Sequence, residues 1–168
     1  DLLELGHLTL AMGFYARAVT VDEVRYEAHL GLAQAHLLRN NLAKAKEELE
    51  SVPQEMSQLL HGRMLLAEGE FDEARRALES IEDPKGADAY YVALAYITPG
   101  ADIAQAKTLL TRAINEGNDP KNIQRAKVLS EHIDQIVRIS DITDQQKYTL
   151  LSRALSAGGE YMIAAKLA

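Results

Sequence analysis

Residues 69–78 read Gly69-Glu70-Phe71-Asp72-Glu73-Ala74-Arg75-Arg76-Ala77-Leu78. Gly69 interrupts an apolar stripe that runs through Leu60, Met64, Leu65 and Ala67 at helical spacing. A turn between antiparallel helices needs a residue that stops a helix or tolerates positive φ, and glycine does both. Phe71, two residues on, is placed to plug the bend. Asp72 and Glu73 fall in the first turn of the next helix, where acidic side chains complement the macrodipole. Ala74 and Leu78 stand four residues apart on one face, and the small Ala74 lets two helices approach closely. The stretch reads as helix, tight turn, helix.

The pattern recurs along the chain. Ala11, Ala45, Ala74, Ala106 and Ala164 fall into register, separated by 34, 29, 32 and 58 residues. The last interval is about two repeat lengths, so one unit there is altered. Gly6, Asn40, Gly69 and Gly159 precede four of these alanines by a similar offset. Two positions after each break stands a large apolar residue: Leu8, Leu42, Phe71 or Tyr161. Upstream of the breaks come matching first-helix patterns. They are His29, Leu32, Ala33 and His36; Leu60, Gly62 and Leu65; Tyr90, Val92, Ala93, Ala95 and Tyr96; and Leu151, Ser152 and Leu155. A small residue holds the same step in each: Ala33, Gly62, Ala93 and Ser152.

Further breaks at Asp22-Glu23, Ser51 to Pro53, Asp83-Pro84, Pro99-Gly100 and Asp119-Pro120 divide the rest. The predicted helices cover 7–21, 26–39, 42–51, 54–68, 71–82, 86–98, 102–116, 121–139, 143–157 and 160–168. Alternating β-branched runs are missing, so the class is all-α. The 168 residues carry 18 Lys and Arg against 25 Asp and Glu, a net charge of −7. An acidic balance argues against a nucleic-acid binder, which needs a basic face. Cysteine is absent, which excludes disulfides, thiolate chemistry and Cys zinc sites. No uncharged apolar run approaches ~18 residues, so no membrane insertion is expected. Zero cysteine fits the cytoplasm, which is favoured, or a bacterial periplasm or envelope space. The chain begins at Asp1 and stops at Ala168 inside an apolar-periodic stretch, so it is expected to be a piece of a longer protein.

With these residues in register, the chain resembles the tetratricopeptide repeat family. That pattern runs W-x2-L-G-x2-Y, then A-x3-F, then P, over ~34 residues. Leu32-Ala33-x2-His36 fits the first block and Ala45-x3-Leu49 the second. Gly69-x-Phe71-x2-Ala74-x3-Leu78 is the closest hairpin, and Ala11-x3-Tyr15-x2-Ala18 is similar to a second helix whose first is missing. The resemblance implies a right-handed superhelical stack of about four to five antiparallel helix hairpins. It implies repeats over 1–118, the first truncated at its N-terminus, and a further hairpin over 145–168, truncated at its C-terminus. Residues 119–144 do not match. There Ile123, Ala126, Ile133 and Val137 form an apolar stripe on one long helix, with Lys121, Arg125, Lys127 and Glu131 facing out. That helix either stands unpaired or pairs with 143–157. The sequence also departs from the family at the first slot, where His29 and Ala89 replace Trp, and at the first interrepeat Pro, replaced by Glu23.

The resemblance implies a non-catalytic scaffold that binds a peptide or helix of a protein partner on its concave face. Its binding residues would be solvent-facing positions of first helices: Glu27, Leu30, Gln34, Leu37, Leu59, Arg63, Leu66, Tyr90, Tyr91, Leu94, Thr149 and Arg153. The Lys, Asn and Arg clamp that some members use for a C-terminal carboxylate is missing, since Leu30, Gln34, Leu59 and Arg63 hold those places. Net charge favours a basic or neutral partner. Two alternatives are a docking module of a larger enzyme or envelope-assembly protein, for example one associated with a glycosyltransferase, and end-to-end self-association.

Sharper chemistry finds no support in the residues. His29 and His36 lie roughly 10 Å apart along a helix, too far for one metal ion. His132 sits beside Glu131 and Asp134 on a surface helix. There is no G-x-S-x-G elbow and no phosphate loop. The acidic cluster of Glu68, Glu70, Asp72 and Glu73 is a solvated helix start, and Gly158-Gly159 is a hairpin turn. No catalytic residue, metal or cofactor is expected. Tyr96 matches a core slot, which leaves Tyr90 and Tyr91 as the aromatic candidates for contact.

Overall fold

The computed structural model describes residues 7–22 and 25–168. Gly6 and Glu23, read above as parts of breaks, lie outside the described residues. Ten helices follow one another with no strand among the described residues. They are α1 Leu8–Ala18, α2 Arg25–Leu38, α3 Leu42–Glu50, α4 Gln54–Glu68, α5 Phe71–Glu79, α6 Gly86–Ala95, α7 Ile103–Glu116, α8 Pro120–Val137, α9 Asp144–Ala157 and α10 Tyr161–Leu167. Several helices end earlier than their apolar period. α6 stops at Ala95 because Tyr96 and Ile97 donate to carbonyls three residues back, and the Thr98 hydroxyl takes the Ala95 carbonyl.

Turn chemistry sets the helix boundaries. Asn40, Gly69, Gly100 and Gly159 have φ of 56°, 89°, 76° and 85°. Three of these turns share one hydrogen bond. Asn41 N–H donates to the His36 carbonyl, Glu70 to Leu65 and Glu160 to Leu155, each spanning five residues. This is the Schellman closure, which satisfies carbonyls left over at a helix end. Helix starts are capped where an oxygen-bearing side chain is available. Asn41, Asp102 and Asp119 accept from N–H groups of the first turn, and Thr143 with Gln146 forms a capping box.

The chain divides into two compact units, residues 1–64 and 65–168. In unit 1, α2 packs against α1 and α3. Its core joins Ala33, Leu37, Ala45, Leu49, Leu60 and Met64, with Leu30 and Leu42 packed at the edge. A smaller cluster holds Ala11 and Ala35 against Leu8, Met12 and Tyr15. Gly31 is needed there, because a Cβ would lie 2.6 Å from the Tyr15 ring. His29, in the slot usually filled by Trp, holds α3 by a polar link instead: its Nδ1 is 2.7 Å from Glu48 Oε2.

In unit 2, α6 packs against α5, α7 and α8. α8 packs against both α7 and α9, so the long helix is not isolated. Its buried face is Ala126, Leu129, Ile133 and Ile136. Val137, assigned above to the apolar stripe, is 62% exposed: it is the last residue of the helix, and the buried face of that turn is taken by Ile136. Arg112 of α7 ties down the α5–α6 loop by donating to Asp83 Oδ1 at 2.8 Å and to the Pro84 carbonyl at 3.2 Å. Lys85 pairs with Asp83 from the other side and, with Arg112, holds that carboxyl below its usual range.

The aligned alanines are all buried: Ala11, Ala45, Ala74, Ala106 and Ala164. The plug position is less uniform. Leu8, Leu42 and Phe71 are half-buried, but Tyr161 is 70% exposed. The plug reading fails at that hairpin, where Ile163, Ala164 and Leu167 supply the buried face of α10.

Candidate partner-binding surface

First helices carry the candidate residues, and their register can be counted from the small residue of each copy. Leu30, Leu59, Tyr90 and Thr149 stand three residues before Ala33, Gly62, Ala93 and Ser152. Gln34, Arg63, Leu94 and Arg153 stand one residue after them. One helical face is therefore sampled four times.

In unit 1 this face is accessible. Glu27 is exposed, and Leu30, Gln34, Leu59 and Arg63 are half-buried. Leu30 rests one side on the unit 1 core and leaves the other open. Leu37, also expected on the surface, is buried in that core beside Leu60 and Met64. It lies one full turn past Ala33 and points back to α3 and α4.

In unit 2 the same face is closed on α6 and open on α9. Leu66, Tyr90 and Leu94 are buried, at 0%, 0% and 1% exposure, so the expectation that they face solvent is corrected. Tyr90 was, with Tyr91, one of the two aromatic candidates for contact. Its hydroxyl instead donates to Glu160 Oε1 at 2.7 Å, and its ring meets Tyr91 edge-on at 5.2 Å between centroids. Burial, reinforced by the Glu160 carboxylate, pushes the Tyr90 hydroxyl pKa far up, so it stays a neutral donor. Tyr91 is half-buried. Tyr96 is half-buried as well, and burial together with Glu79 raises its hydroxyl pKa.

Glu160 and Arg125 were not found from sequence. Arg125, read as facing out, donates from Nη1 to Glu160 Oε1 at 3.2 Å, and its side chain is only 25% exposed. Glu160 matches Asn41 and Glu70 in register, each being the residue after a positive-φ turn and before a helix. Glu70 is exposed. Nothing local in the sequence separates the two glutamates.

Thr149 and Arg153 are exposed on α9. They line a shallow depression of about 530 Å³ with Ile139, Ile142, Gln145 and Leu150. Elsewhere α1 exposes Leu10 and Phe14, four residues apart, at 54% and 51%. The Arg17 guanidinium covers the Phe14 ring at 5.1 Å. No described helix is long and apolar enough to cross a membrane.

A family model described as tetratricopeptide repeat matches residues 2–62, and a second with the same description matches 56–80. No curated protein and no solved structure matches the chain. The family matches cover all of unit 1 from residue 2 and the α4–α5 hairpin, where the register was read most directly.

Proposed function

Since this chain is a tetratricopeptide repeat protein, we propose that it is a non-catalytic scaffold whose unit 1 takes a helix or extended segment of a protein partner. Repeats of this kind mediate protein–protein interaction. One observation carries the finer reading: Leu30 with Leu59, and Gln34 with Arg63, recur at matched first-helix positions and, with Glu27, stay accessible. The two leucines offer apolar anchors, while the flanking polar residues set orientation, as in groove recognition of a helix or strand. The net charge of −7 favours a basic or neutral partner. Affinity capture with the full chain tests this. Leu59→Glu and Leu30→Glu should each reduce recovery of the partner at least ten-fold, with circular dichroism unchanged. Undiminished capture by both variants would overturn the reading.

The exposed pair Leu10 and Phe14 favours a second reading, in which α1 packs against a second copy. Light scattering across concentration checks it. Association that disappears in Phe14→Glu supports it, and a strict monomer at all concentrations removes it.

A further inference from the structure

The second helices α3, α5 and α7 turn one face to solvent, and that face is polar. One step before the aligned alanine they carry Lys44, Glu73 and Gln105, each exposed. Two steps after it stand Glu47, Arg76 and Thr108, and five steps after it Glu50, Glu79 and Thr111, again exposed. α1 presents Leu10, Gly13 and Ala16 at the same three steps, also exposed. These steps lie outside the contact that a second helix makes with its own first helix. α3 packs on α2 and α7 on α6 with the same steps still in water. The outer face of α1 therefore lacks the polar residues that its counterparts carry.

Gly13 sharpens the contrast. Glycine inside a helix is unfavourable relative to alanine. A Cβ there would meet nothing within 4 Å, so no described contact calls for glycine. At Gly31, by comparison, the Tyr15 ring takes the space. α1 also holds no Asp or Glu, and its one charged residue is Arg17. Copies of a chain with net charge −7 repel one another. A face without acid is where that repulsion is weakest.

We propose that two copies of the chain pair through the outer face of α1, antiparallel about a two-fold axis between Gly13 and Phe14. The inference rests on the second reading above and deepens it by naming the face and the symmetry. About that axis Phe14 of each copy stands opposite Gly13 of the other, a ring beside a missing side chain. Gly13 lets the two backbones approach closely. Leu10 stands opposite Arg17 of the second copy and packs on its methylene stem, while the guanidinium stays in water. Both copies use the same patch, so the contact closes at two and does not propagate end to end.

The chain has no cysteine, so an introduced thiol reports without background. Gly13→Cys sets two small, uncharged thiol side chains across the axis, within the Cα reach of a disulfide. With an added oxidant it should cross-link at least ten-fold faster than Glu47→Cys, the same step of α3. Light scattering of the unaltered chain should rise with concentration and level off at twice the monomer mass. Leu10→Lys and Gly13→Glu install what α3 carries at these steps, Lys44 and Glu47. Each should weaken the pairing at least ten-fold with circular dichroism unchanged, and either serves alone if the other does not fold. Undiminished association in both variants, equal cross-linking rates, or growth beyond two copies overturns the two-fold pairing. If association then still vanishes in Phe14→Glu, the second reading stands without it. A strict monomer at all concentrations removes both. None of these results bears on capture through Leu30 and Leu59.

Discussion

Leu30 and Tyr90 hold the same step of the repeat, three residues before Ala33 and Ala93, yet one is half open and the other sealed. Gln34 and Leu94 repeat the contrast one turn later. In unit 1 the first-helix face meets solvent. On α6 of unit 2 its counterpart meets Glu160, a residue of the α9–α10 turn. Register therefore assigns a face but not its exposure. An interior step of a solenoid is open only while no other part of the chain lies on it.

The largest expected effect separates Leu94 from Gln34. Leu94→Ala should cost about 2–5 kcal/mol in denaturant melts of the full chain, because a buried leucine leaves a cavity. Gln34→Ala should stay within about 0.5 kcal/mol, as surface changes do. Equal losses would erase the distinction between the two faces. Next comes Tyr90→Phe, expected to lower stability by about 1–3 kcal/mol through loss of a donor to a largely shielded carboxylate. Leu30 has no polar tip to lose, so unit 1 has no matching term.

The turns give a smaller contrast. Gly69→Ala forces a Cβ into positive φ and against the Lys166 methylenes, at a cost of about 1–2 kcal/mol by thermal melt. The matched change in unit 1, Asn40→Gly, removes a Cβ from positive φ and should not lower the melting temperature.

The smallest effect is a pH dependence in unit 1. His36 is buried, and its Nδ1 finds no hydrogen-bond partner among the described residues. Burial lowers its pKa, with Lys44 and Arg39 adding to the effect and Glu48 opposing it. The unfolded chain then takes a proton more readily than the folded one. Stability from the neutral ring is full above about 6.5 and falls as pH drops below it. Protection of the α2 amides, taken relative to their intrinsic exchange rate at each pH, should fall between about pH 7 and 5. His36→Leu should flatten that slope, and a slope unchanged by the substitution would assign it elsewhere.

Much of the fold was legible because its signals are local. Gly69, Asn40 and Gly159 each ended a helix at the predicted turn, since positive φ is a property of a residue and its neighbours. Ala45, Ala74 and Ala106 proved buried because close helix approach demands a small side chain at a fixed step. The site was legible in part. Accessibility at Glu27, Leu30, Gln34, Leu59, Arg63, Tyr91, Thr149 and Arg153 followed from counting, whereas Leu37, Leu66, Tyr90 and Leu94 did not behave as counted. Tyr161 likewise looked like Phe71 in sequence but stands exposed.

What the sequence determined by itself is the repeat: helices, turns, the spacing of small and large residues, and an acidic chain without cysteine. Those depend on interactions within a few residues and on composition. Only the tertiary structure decided which repeated face is free. Glu70 and Glu160 follow the same kind of turn, yet one lies in water and the other receives Tyr90 and Arg125. That difference rests on contacts spanning 70 and 35 residues, and no local spacing encodes them.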